Sequence, residues 1–159
     1  MNNLRALATA LVFTLSLTGC GRMRLQSPIA PAAGPPATFV PSTSDVKTTQ
    51  VFDVREGLTK GTAFHAASDL LAQQYTVDVS DAHAGFLMTT WQASYIRGGV
   101  PDVRYRTRVV IRFLGDDWRQ VSVRSEANWQ RDAEWDVGYD TKMLDTVTAQ
   151  LRAKIGKKN

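Results

Sequence analysis

The stretch Val103-Arg-Tyr-Arg-Thr-Arg-Val-Val-Ile-Arg-Phe113 alternates residue by residue. Val103, Tyr105, Thr107, Val109, Ile111 and Phe113 fall on one side of an extended chain, and Arg104, Arg106, Arg108 and Arg112 fall on the other. Successive side chains of a strand point to opposite faces, so this period predicts a strand with one buried and one solvated face. Gly115-Asp116-Asp117 supplies a tight connection. Trp118 to Ala127 then returns with Val121 and Val123 inward and Ser122 and Arg124 outward. Upstream, Gly85 opens a strand on which Leu87, Thr89, Trp91, Ala93 and Tyr95 share a face, and Arg97 to Asp102 form a turn cluster. Strands joined by loops this short pair antiparallel. A sheet that is apolar on one face needs a cover on that face alone.

The flanking segments supply the cover. Val51 to Arg55 reads as a short strand. Thr62 is placed to cap a helix running to about Gln74, with Phe64, Ala67, Leu71 and Tyr75 in one apolar stripe. Thr76 to Ser80 alternates, with Val77 and Val79 on one side. Asn128 to Gly138 reads as irregular. Asp140 or Thr141 caps a last helix through Ile155, striped by Leu144, Val147, Leu151 and Ile155, with Lys154 in its last turn and Gly156 as terminator. The order β-α-β-β-β-β-α predicts an α+β fold: two helices packed on one face of an antiparallel sheet, over residues 51–159.

The chain has 159 residues, 43% hydrophobic, enough for one modest domain and a tail. Its formal charge of +4 is too mild for a nucleic-acid footprint. Leu7 to Leu17 carries no charge, follows Arg5, and ends in Leu17-Thr18-Gly19-Cys20. A basic start, an apolar middle and small residues before a cut make a secretory signal. The ending resembles the lipobox of bacterial lipoproteins. That resemblance implies a signal peptide over 1–19 and a lipidated Cys20 as the first mature residue. Cys20 is the only cysteine, so the domain must hold together without a disulfide. Residues 20–50 then form a lipidated cysteine and a Pro/Ala-rich disordered tether, with Pro28, Pro31, Pro35, Pro36 and Pro41. The tether is either a passive spacer or a segment that binds a partner in extended form. Gly21 is not aspartate, which by the same resemblance favours the outer membrane.

Three motifs carry a further likeness. Gly85-Phe-Leu-Met-Thr-Thr-Trp91, the basic Tyr105-Arg-Thr-Arg108 and Tyr139-Asp-Thr-Lys-Met-Leu144 resemble the BamC (NlpB) lipoproteins over residues 85–155. The resemblance implies a helix-grip domain and a place in the complex that assembles β-barrels in the outer membrane. It also implies a periplasm-facing, non-enzymatic role as an accessory or interaction subunit with an envelope protein partner.

No nucleophile elbow, phosphate loop or zinc-protease motif is present in the sequence. His65 and His83 read as surface or capping residues, with no metal cluster around them, and no cofactor is expected. Arg104, Arg106, Arg108 and Arg112 are the candidate interaction face. It is either a solvated surface or a docking site for acidic protein segments, lipid headgroups or anionic polysaccharide. Export argues against nucleic acid. Trp129 and Trp135 are candidate exposed anchors, with a core plug as the alternative. A second function class stays open: a small module holding an apolar ligand between the last helix and the sheet. A lumen filled by Trp91, Tyr105, Phe113 and Leu144 favours the interaction subunit over that module.

Overall fold

The computed structural model describes residues 34–158. The signal peptide, Cys20 and the first part of the tether lie outside the described residues. In chain order the elements are Phe39–Pro41 (β1), Thr49–Asp53 (β2), Lys60–Ala72 (α1), Val77–Asp81 (β3), Phe86–Thr89 (β4) and Gln92–Ala93 (β5). Ile96–Arg97 (β6), Val100–Pro101 (β7), Tyr105–Leu114 (β8), Gln120–Arg131 (β9), Glu134–Asp140 (β10) and Thr141–Ile155 (α2) follow. The main sheet runs β1-β10-β9-β8-β4-β3, with β2 extending the β10 edge of β9 and β5 pairing β8 beyond β4. All of these pairs are antiparallel. β6 and β7 form a separate two-stranded hairpin.

The alternation in β8 does what its sequence predicts. Tyr105, Thr107, Val109, Ile111 and Phe113 are buried, while the arginines between them are not. The buried face joins Leu87, Val121 and Val123 to Phe64 and Leu71 of α1 and to Leu144, Val147, Leu151 and Ile155 of α2. Each such aliphatic side chain contributes about 1.5–3 kcal/mol by leaving water. The fold is therefore two layers, helices on one face of an antiparallel sheet. α2 begins where Asp140 accepts the Met143 N–H at 2.7 Å and ends at Ile155. Gly156 stops it at close quarters, because a Cβ there would lie 2.6 Å from the Arg152 carbonyl oxygen.

Val103, expected inward, precedes β8 and is 77% exposed, and five further features differ from the sequence reading. The structured chain begins before Val51: β1 lies inside the Pro-rich stretch and pairs with β10, Phe39 opposite Asp140. Phe39 is the reason, since it is buried with Tyr105, Ala127 and Trp129 in a second apolar cluster. Asn128 to Gly138 is regular, because β9 continues to Arg131 and β10 returns from Glu134. α1 is capped by Thr59, whose hydroxyl accepts the Thr62 N–H, one turn earlier than expected. Val77 and Val79 do not share a face. A bulge between them sets Val77 opposite the buried Thr89 and Val79 opposite Met88 on the solvent side.

The fifth difference concerns Trp91. Leu87 pairs with Ile111, but Gln92 pairs with Thr107, one residue out of step. The slip begins where the Thr89 hydroxyl takes the Val109 N–H at 3.0 Å in place of a backbone carbonyl. The extra residue turns Trp91 onto the arginine face instead of the core.

Candidate functional site

Arg106, Arg108 and Arg112 stand on the outer face of the sheet, whereas Arg104 precedes β8 and lies over the ring of the inner-face Trp129, so each guanidinium has a distinct environment. Arg104 grips Asp102 through two bonds of 3.0 Å and lies 5.1 Å over the Trp129 ring. Arg108 donates to Glu126 at 2.6 Å and lies 4.6 Å over Trp91. Glu126 also takes Arg124 from the same strand. Arg106 is stacked between Trp91 at 5.1 Å and Trp135 at 4.1 Å, and Arg112 lies 5.4 Å over Phe86. Among the described residues, Arg106 and Arg112 have no carboxylate partner. Cation–π stacking orients a guanidinium without neutralising it, so these two charges stay available to a ligand.

Beside the stack runs a trough of about 390 Å³. Its floor is Phe86, Met88 and Val110; its rim is Arg108, Arg112, Arg124 and Glu126. The register explains it. Phe86 stands opposite Arg112 and Met88 opposite Val110, so apolar side chains alternate onto the otherwise polar face. Three cations and one acid around an apolar floor suit an extended segment carrying both apolar and acidic residues. Phe86, Met88 and Arg124 were absent from the sequence-derived site. The signal for them was Val110, the apolar residue on the outward side between Arg108 and Arg112.

The tryptophans expected as exposed anchors are not exposed. Trp129 is 3% exposed and plugs the second cluster, because β9 carries it to the inner face opposite Tyr105. Trp135 is half-buried, with its ring under the Arg106 guanidinium.

No family model matches this chain, and no curated protein matches it either.

A second concavity, about 380 Å³, opens between α2 and the end of the sheet. Tyr75, Tyr95, Met143 and Thr146 line it, and Tyr105 and Asp140 close its floor. The Tyr105 hydroxyl donates to Asp140 Oδ2 at 2.7 Å and the Thr38 hydroxyl donates to the same oxygen at 2.9 Å. Burial first, then the bond to Asp140, keeps the Tyr105 hydroxyl protonated far above the ordinary phenol range. Both carboxylate oxygens are engaged, since Oδ1 caps α2. Of the residues expected to fill a lumen, Phe113 and Leu144 are buried in the main core and Tyr105 in the second cluster, while Trp91 stands on the other face. Among the described residues, no three His, Cys, Asp or Glu converge on a metal-sized space. Asp81, beside His83, instead accepts the His83 and Ala84 N–H groups at 2.9 Å.

Asp102 is the buried acid at the edge of the arginine face. The Arg104 hydrogen bond, followed by those of Arg97 and the Arg104 backbone, lowers its carboxyl from 3.8 to about 2, against the opposing effect of burial. A depressed carboxyl contributes stability that is complete above its unfolded value and is lost as pH falls through its folded value. The Arg97–Asp102–Arg104 cluster should therefore hold above about pH 4 and come apart as pH falls through about 2. A carbon-detected titration of the Asp102 carboxyl checks this. A midpoint at the ordinary 3.8 would show the cluster open in solution.

Proposed function

We propose that the protein is a non-enzymatic, lipid-anchored envelope protein that acts as an accessory or interaction subunit. Its partner docks an acidic, extended segment on the arginine face. The observation that carries this reading is the trough itself: an apolar floor with a cationic rim, beside Arg106 and Arg112, which lack carboxylate partners among the described residues. The Trp91–Arg106–Trp135 stack supports it further, since preorganised guanidinium groups lose less freedom on binding. The BamC-like motifs support a partner in outer-membrane barrel assembly. Burial of Tyr105, Phe113 and Leu144, three of the four expected filling residues, also favours this reading. The groove beside α2 favours the second reading, a module for an apolar ligand, but its polar floor is already satisfied.

The test is an affinity pull-down of the full-length protein from membranes after mild crosslinking, with Arg106, Arg112 and Arg124 changed together to Ser. Arg104 is left alone because it holds the Asp102 cluster. Recovery of barrel-assembly components should fall about tenfold or more, as expected when charge pairs worth ~1.4 kcal/mol in total are lost. Raised salt should weaken the wild-type recovery in the same direction. Equal recovery from the variant would move the interface off this face. Absence of those components from both would remove the barrel-assembly partner.

A further inference from the structure

We propose that the β6–β7 hairpin is a membrane-surface contact, with Ile96, Val100 and Val103 seated at the lipid headgroup boundary. The proposal rests on the lipidation reading of Cys20 and is independent of the arginine face.

Exposure comes first. Ile96 is 58% exposed, Val100 63% and Val103 77%, and Pro101 between them is exposed too. Scattered apolar residues on a surface need no explanation, but here Ile96 stands with Pro101 on one side of the hairpin, Val100 stands with Arg97 on the other and Val103 follows at its base, so the exposed tip is apolar on both sides. The patch is also rigid. Gly98 and Gly99, at φ of 58° and 86°, form the two-residue turn that twists with its strands, and Ile96 pairs with Pro101. Asp102 pins the base: its N–H donates to the Tyr95 carbonyl at 2.8 Å and its carboxylate takes Arg97 and Arg104. An apolar tip held this firmly loses little freedom on meeting a surface.

Position selects lipid over a protein pocket. The Arg97 guanidinium donates to the Gly34 carbonyl at 3.0 Å, so the first described residue lies against the hairpin. Thirteen residues separate Gly34 from Cys20. A chain of that length spans at most ~45 Å fully extended, and roughly 20 Å on average if it behaves as a coil. A lipid on Cys20 would therefore keep this corner within that reach of the bilayer and raise the effective concentration of lipid at the hairpin. Charge agrees. Arg97 and Arg104 flank the tip with a third of each side chain exposed, and Asp102 neutralises only one of the two. A cation beside apolar residues is the composition of an interfacial contact with anionic headgroups.

The experiment uses the full-length lipidated protein in vesicles of phosphatidylethanolamine and phosphatidylglycerol. A nitroxide is placed at Val100→Cys, and separately at His65→Cys on α1, beside Phe64, which packs on Phe113 at the far end of β8. Cys20 carries the lipid and does not react, which the intact mass confirms. The label at position 100 should gain collisions with oxygen and lose collisions with a water-soluble nickel complex severalfold relative to position 65. Adding Ile96→Ser and Val103→Ser, both at exposed sites, should return it to the accessibility of position 65. Equal accessibility of the two labels on protein that floats with the vesicles overturns the proposal and leaves lipidation standing. Protection that appears only on adding envelope proteins assigns the hairpin to a protein partner and also overturns it. Protein that carries no lipid and stays out of the vesicle fraction overturns the anchor and the proposal together.

Discussion

Asp140→Ala is expected to destabilise the domain by about 3 kcal/mol, roughly 10 °C in melting temperature. The side chain joins three elements. It caps α2 through the Met143 N–H, receives the Tyr105 hydroxyl from β8, and receives the Thr38 hydroxyl next to β1. Loss of an N-cap costs about 1 kcal/mol. The larger cost is Tyr105, which is 1% exposed and would keep a buried hydroxyl without an acceptor, worth about 1–3 kcal/mol. Tyr105→Phe removes the donor along with its need and should cost only about 1 kcal/mol. Scanning calorimetry of the two variants separates these contributions. A loss of only about 1 kcal/mol from Asp140→Ala, with none from Tyr105→Phe, would mean that water satisfies the hydroxyl and that the cap alone matters.

Gly138→Ala is expected to cost about 3 kcal/mol by expelling β1. A Cβ at this position would run into the Val40 carbonyl oxygen and lie 2.6 Å from the Phe39 ring. The neighbour is backbone, so it cannot swing aside. β1 must leave β10, and Phe39, 9% exposed in the second cluster, returns to water. Hydrogen exchange should show the β1 amides unprotected, while those of β8 and β9 exchange more slowly, as the helix-side core is intact. Unchanged protection across residues 39–41 would show that β10 can shift to make room.

Legibility in the sequence followed the range of the interaction. The β8 strand, both helices and the Asp140 cap were readable because alternation, apolar stripes and capping are local patterns. β1 was not, because its three residues sit in a proline-rich stretch and their partner strand lies a hundred positions away. Composition there describes the chain on average, whereas Phe39 alone decides where it docks. The arginine stripe was legible as a face, but its charge state was not. Whether Arg104 and Arg108 are neutralised depends on Asp102 in a turn and Glu126 across the ladder. Trp129 and Trp135 were open alternatives because the period of β9 is hidden by a polar Ser125 on the inner side and by Asn128, buried on the outer side opposite Arg106.

The slip between β4 and β5 has a consequence for how this surface tolerates change. Thr89 to Gln92 contains one residue more than a straight ladder needs, and that surplus residue is what puts Trp91 beside Arg106 and Arg108. Substitutions in this stretch alter one side chain at a time. A ladder continued from Leu87–Ile111 without the slip would set Trp91 opposite the buried Thr107 and send the indole toward the core, leaving both arginines without their aromatic neighbour from this strand. The face thus depends on register as much as on spelling.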